Sequence, residues 1–169
     1  MTREKPEPLQ VIKERRDAAL LRLVGAVPYI RFMGISFQRR GDELTATMAY
    51  ADMLIGNPTV PAIHGGATAA FLETAAIIEL AWAEIWAKTE AGKLSGADIA
   101  ALPFPTLPKT IDFTTDYLSV GHPRDVYARA RINRSGRRYA SVHVEAWQDN
   151  RAKLVAQATG HFLMPPKDG

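Results

Sequence analysis

The stretch Asn57–Ala76, NPTVPAIHGGATAAFLETAA, decides how the rest of the chain is read. It opens as a loop punctuated by Pro58 and Pro61, passes through His64-Gly65-Gly66, and becomes a nearly unbroken run of small and apolar residues. The continuation, IIELAWAEIWAKTEAG, extends the run into one long helix that is apolar nearly all round in its first half. Such a helix belongs inside a fold rather than on its surface. One residue breaks the pattern. Glu73 is the only charge between Ala67 and Ile78, and a lone carboxylate in such a run is neutral, paired with a cation, or chemically useful.

Outward from this helix, the flanks read as an α+β arrangement. Upstream, LQVIKERRDAALLRLVGAVP sets Val11, Ile12, Leu20, Leu21, Leu23 and Val24 around a charged middle, and Gly25 and Pro28 stand where a helix should stop. GISFQRR and ELTATMAY alternate, with Ile35 and Phe37 on one face and Leu44, Ala46 and Met48 likewise, so Gly41-Asp42 predicts a hairpin. Downstream, KTIDFTTDYLS, RDVYARARINRS, RRYASVHVEAWQD and AKLVAQATGHFLM read as strands, the last three with clear period-two patterns. Gly121-His122-Pro123, Ser135-Gly136 and Asp149-Asn150 are the turns between them. The expected fold is a curled antiparallel sheet of five or six strands wrapped around one long central helix, with an extra N-terminal helix. Residues 1–29 form the helical extension and 30–169 the main domain. The segment 89–109, containing Pro103, Pro105 and Pro108, is the one long irregular connection.

Composition bounds the function. A chain of 169 residues, 47% hydrophobic and 23% charged, is an ordinary globular domain. A net charge of +3 suits a small anionic ligand but falls short of a nucleic-acid-binding stripe. With no cysteine there is no disulfide framework, thiolate nucleophile or cysteine-based zinc site. The N-terminal MTREKPEPLQ has no apolar signal core, and no run of about 18 apolar residues suggests a membrane span, so a cytoplasmic location is expected. Neither a GxxxxGK phosphate loop nor an HExxH zinc motif occurs.

Asn57, His64-Gly65-Gly66, Glu73 nine residues after the histidine, and the strands TIDFTTDYL, ARARINRSGRRYASVHVEAW and KLVAQATGHF together resemble the PaaI-like acyl-CoA thioesterases of the hotdog fold. The resemblance spans roughly residues 30–164 and implies hydrolysis of an acyl-CoA to a carboxylic acid and free coenzyme A, with no metal or organic cofactor. It makes Glu73 the general base or nucleophile and the Gly65 N–H the polariser of the thioester carbonyl. Asn57 and His64 orient that carbonyl, and Thr110 is a hydrogen-bond partner for the catalytic water. Asn57 stands one residue further from His64 than is common in the family, and Glu73 takes a place more often held by Asp.

The chemistry agrees with those residue types. A thioester needs donors for the developing oxyanion and a carboxylate to activate water. If the helix begins just after His64, the unpaired N–H groups of Gly65 and Gly66 face outward, and two glycines let a carbonyl approach. Nine residues at 100° each set Glu73 opposite His64 and about 13 Å further along the axis. One helix therefore does not present both to one carbonyl, and the simple solution is a site completed by a second chain in an isologous dimer. The resemblance implies the same, as a dimer or a dimer of dimers. Arg134, Arg137 and Arg138 around Ser135-Gly136 suit the phosphates of coenzyme A. Trp82 and Trp86 read as core or interface anchors, and His122, His143 and His161 as surface residues. Two other readings share the fold: a hydratase or dehydratase acting on acyl thioesters, and a non-catalytic acyl-CoA-binding protein.

Overall fold

The computed structural model describes residues 8–90 and 106–166. Helix α1 (Leu9–Gly25) ends at its glycine, and Pro28 opens a second short helix, α2 (Pro28–Phe32). Pro28 is thus a start as well as a stop, because proline in a first turn lacks only an N–H that would have no helical partner. The inward stripe of α1 runs through Ile12, Arg16, Ala19, Leu20 and Leu23, of which the last three are buried. Val11 and Leu21 lie off that stripe and are exposed, so the six apolar positions do not form one face. The Arg16 guanidinium lies 3.6 Å from the ring centroid of Trp86, and Arg39 pairs with Asp17 at 2.8 Å, which together fasten α1 to the long helix and the sheet.

The hairpin of β1 (Ile35–Arg40) and β2 (Glu43–Met48) turns at Gly41, whose φ of 62° favours glycine. After a 3₁₀ turn at Asp52–Leu54, β3 (Ile55–Asn57) and β4 (Ala62–Ile63) form a small separate sheet. Helix α3 (Gly65–Glu90) follows, and then β5 (Lys109–Tyr117), β6 (Val126–Ser135), β7 (Tyr139–Trp147) and β8 (Leu154–Leu163). The main sheet has six antiparallel strands in the order β1-β2-β6-β7-β8-β5. Thr89 and Glu90 continue the helix and Lys109 opens a strand, so both ends of the expected irregular segment are regular. Its middle, 91–105, lies outside the described residues.

Alternation explains the core. Val126 and Ala128 of β6, Ala140, Val142, Val144 and Ala146 of β7, and Ala156, Ala158 and Phe162 of β8 are buried beneath α3. Phe71, Leu72, Ala75, Ala76, Ile78, Leu80, Ala81 and Trp82 of α3 are buried around most of its circumference, as an all-round apolar helix requires. By length and composition α3 could cross a bilayer, but half of its most apolar window is buried in this core. Burial of these side chains, each contributing on the order of 1.5–3 kcal/mol when large and aliphatic or aromatic, holds helix and sheet together.

The edge strand β5 behaves differently. Among the described residues it pairs only with β8, and most of it is exposed, with Ile111 60% and Tyr117 56% accessible. Leu118 and Val120 just beyond it are about half exposed as well. A long edge with free backbone groups and apolar side chains is a template for another strand.

Candidate active site

His64 is held from three sides before any ligand is considered. Its backbone N–H donates to the Leu54 carbonyl at 2.8 Å, and the preceding Ile63 N–H donates to the Gly121 carbonyl at 2.9 Å. A Cβ at Gly56 would lie 2.7 Å from the His64 Cβ and 2.8 Å from its Cα, so β3 passes the histidine at a distance that only glycine permits. The His64 ring turns back over the helix start, where Nδ1 accepts the Gly66 N–H at 2.9 Å. His64 therefore acts as a side-chain cap, and its neutral form carries the ring proton on Nε2.

Capping changes the oxyanion arithmetic. The Ala67 and Thr68 N–H groups donate to the His64 carbonyl, and Gly66 donates to the His64 ring. Only the Gly65 N–H has no hydrogen-bond partner among the described residues. The expected pair of outward amides thus narrows to one, at the positive end of a 26-residue helix.

Asn57 stands at the end of β3, and its Oδ1 accepts the N–H groups of Thr59 (3.1 Å) and Val60 (3.3 Å). Its carbonyl oxygen is committed to the turn that carries Pro58 and Pro61, an Asx turn. The side chain shapes the loop before β4, while its NH₂ group makes no bond to the described residues.

Glu73 lies two turns into α3, half-buried, and makes no ion pair among the described residues. Its one hydrogen bond there comes from Thr110, whose hydroxyl donates to Oε1 at 2.5 Å. The structure thus brings Thr110 to the carboxylate itself, across a separation of 37 residues. At the other end of β5, the Tyr117 hydroxyl donates to the Gly65 carbonyl at 2.8 Å. One strand therefore touches the helix at both places, Thr110 at Glu73 and Tyr117 at Gly65.

The β6–β7 turn with Arg134, Ser135, Gly136, Arg137 and Arg138 stands at the Thr110 end of the sheet. Register shows this: Ser135 faces Ala140, Ala140 faces Phe162, and Phe162 faces Thr110. Arg137 and Arg138 line a cavity of about 490 Å³ with Leu163, Met164 and Pro166. Of the remaining histidines, His122 is exposed, and His143 and His161 are partly buried on the sheet face turned away from α3, where they lie beside Glu145 and Asp112. Trp82 and Trp86 stack at 6.2 Å, Trp82 in the core. No group of three or more metal-ligating side chains occurs among the described residues.

Sequence reading missed Gly56, Tyr117 and Glu79. Gly56 reads as an ordinary loop glycine, but Tyr117 had a signal: counting by two from Phe113 sets it on the helix side of β5. Glu79 lies on α3 beside a cavity of about 470 Å³ that also borders Glu43, Leu44, Arg129 and Ile132. Burial, and secondarily the Glu43 charge, push its carboxyl up to about 7.

The sequence profile of the thioesterase superfamily matches residues 61–155, from the loop before His64 to the start of β8. A solved structure from Chromobacterium violaceum is 32% identical, covering 95% of this chain and 100% of that one, with a TM-score of 0.62. The Escherichia coli PaaI protein of the phenylacetic acid degradation operon has the same fold at 15% identity, with 90% and 94% of the two chains covered and a TM-score of 0.66. A phenylacetic acid degradation-related protein from Ralstonia eutropha is 21% identical over 86% of this chain and 98% of that one, with a TM-score of 0.63. No curated protein is similar enough to count as a match.

Proposed function

This chain belongs to the thioesterase superfamily, and from that premise we propose that it is an acyl-CoA thioesterase whose two half-sites are completed by a second copy of the chain. The observation that carries the reading is the coexistence on one helix of an unpaired amide at Gly65 and a half-buried carboxylate at Glu73 without a cationic partner among the described residues. A thioester hydrolase needs both groups.

In the proposed reaction the thioester oxygen approaches the Gly65 N–H, and His64 and Asn57 shape the loop around it. Thr110 holds Glu73 Oε1, leaving the second carboxylate oxygen to orient a water and take its proton as the water oxygen attacks the carbonyl carbon. The tetrahedral oxyanion is stabilised by the Gly65 N–H and the helix dipole. Its collapse breaks the carbon–sulfur bond and expels the coenzyme A thiolate, which takes from Glu73 the proton that the carboxylate drew from water, and the acyl group leaves as a carboxylic acid. Water and these side chains suffice for that sequence, without metal or organic cofactor.

The shared site is supported by the exposed edge of β5. The midpoint between Thr110 and Tyr117 falls at Phe113 and Thr114. An antiparallel pairing of β5 with its own copy about that midpoint lays each copy's Tyr117 end, with Gly65, beside the other's Thr110 end, with Glu73. It also covers Ile111 and the apolar residues after Tyr117. The Arg134–Arg138 turn, at the Thr110 end, is positioned to receive coenzyme A phosphates.

The test is a panel of aryl and aliphatic acyl-CoAs with thiol detection, run on the parent and on Glu73→Gln, with light scattering at assay concentration. The expected result is thiol release by a dimer or tetramer and its loss in the variant. An absence of thiol release across the panel, or a variant as fast as the parent, would sink the proposal. Hydration of an enoyl-CoA without thiol release would replace it with the hydratase reading, and a monomer would defeat the shared site.

A further inference from the structure

Tyr117 closes β5 with more than half of its surface accessible, yet its ring is seated on Gly65. A Cβ added to Gly65 would lie 3.2 Å from the Tyr117 Cζ and 3.3 Å from its Oη. The hydroxyl donates to the Gly65 carbonyl at 2.8 Å. The other end of the same peptide, the Gly66 N–H, donates to His64 Nδ1 at 2.9 Å. The peptide between Gly65 and Gly66 is therefore clamped at its carbonyl by β5 and at its N–H by the histidine ring. The preceding peptide is fixed through the His64 carbonyl, which accepts from Ala67 and Thr68 at 3.0 and 3.1 Å. Gly65 is the joint between these two planes, and a glycine would otherwise rotate more freely than any other residue.

We infer that Tyr117 is the positioning residue for the oxyanion donor, holding the Gly65 backbone so that its N–H stays unpaired and aimed outward. The inference rests on the thioesterase reading for its catalytic consequence but not for the clamp itself. A donor fixed in advance stabilises developing charge without being reoriented during the reaction, which is the condition under which such donors are most effective. Tyr117 touches neither thioester nor water in this scheme and acts through Gly65.

Tyr117→Phe keeps the ring against Gly65 and deletes only the hydroxyl bond. Steady-state kinetics should show kcat lowered about tenfold, the size of one lost hydrogen bond's worth of transition-state stabilisation, with KM changed less than about twofold. Melting temperature and oligomeric state should match the parent. Relaxation measured on the Gly65 backbone amide should show its order parameter falling from about 0.85 toward about 0.6. An unchanged kcat, or a kcat loss that only tracks a fall in melting temperature, overturns the positioning role. If the parent cleaves no thioester, the thioesterase reading fails and the amide decides the clamp alone: a lowered order parameter sustains it, and an unchanged one overturns it.

Discussion

Thr110 Oγ1 donates a 2.5 Å hydrogen bond to Glu73 Oε1, tying the edge strand to the central helix at the one carboxylate in its apolar stretch. The bond restricts rotation of the carboxylate and leaves a single oxygen for water. Thr110→Val, which preserves shape and removes the donor, should lower kcat about tenfold. Glu73→Gln should lower it by about 100-fold or more, the range of general-base catalysis. Thiol-release kinetics on both variants check the order of these effects.

Two inactive variants should repair each other. Gly65→Pro deletes the proposed donor at a first helical position, where proline's φ suits the backbone while its Cβ makes the Tyr117 ring give way by a few tenths of an ångström, and Glu73→Gln deletes the base. In a mixed population half the dimers are heterodimers, each with one site made of two intact halves. Equal mixing after subunit exchange should restore about a quarter of parental activity. No recovery, in a mixture shown to exchange, would place both halves within one chain.

Stability should fall as pH rises from about 4.5 to about 7. The Glu79 carboxyl, pushed up to about 7 by burial and then by Glu43, binds a proton in the folded chain at pH values where the unfolded chain has released it. Its contribution is fully present below about 4.5 and is lost as pH climbs to about 7, with a ceiling of about 3 kcal/mol reduced by partial exposure. Glu79→Gln should flatten the melting temperature over this window and raise it at pH 8, as a pH series of thermal scans would show.

Gly56→Ala should unseat His64. The new methyl carbon would stand 2.7–2.8 Å from the histidine's Cα and Cβ, against backbone rather than a flexible tip. The expected cost is about 1–3 kcal/mol of stability, together with lost activity, measurable by denaturant unfolding and thiol release.

The strands and the central helix were legible because their evidence is local. Ala140, Val142, Val144 and Ala146 recur at period two and are buried in that register, and the run after His64-Gly65-Gly66 has no polar face to expose. The placement of Glu73 as an exception was equally visible. The contacts that fix its surroundings were not, because they join residues remote in sequence. Thr110 could be assigned to the next strand, but its bond to Glu73 depends on how β5 crosses α3. Gly56 matters because β3 pairs with β4 beside His64, and Glu79 because the hairpin carries Glu43 to the far side of α3. Val11 and Leu21 are exposed for the converse reason: apolar residues on α1 are only weakly constrained on the side that faces neither the long helix nor the sheet.

Among the described residues, β5 has one hydrogen-bonded neighbour where β6, β7 and β8 each have two. Its outward amides have no carbonyl partner among the described residues of one chain, and the proposed pairing supplies them. Amide hydrogen exchange should therefore slow in β5 as protein concentration rises, while the interior amides of β7 exchange at a rate independent of concentration. The strand that joins Glu73 to Gly65 across two copies would then be ordered by the same association that completes the site, so that dilution loosens the chain first at the place where it reacts.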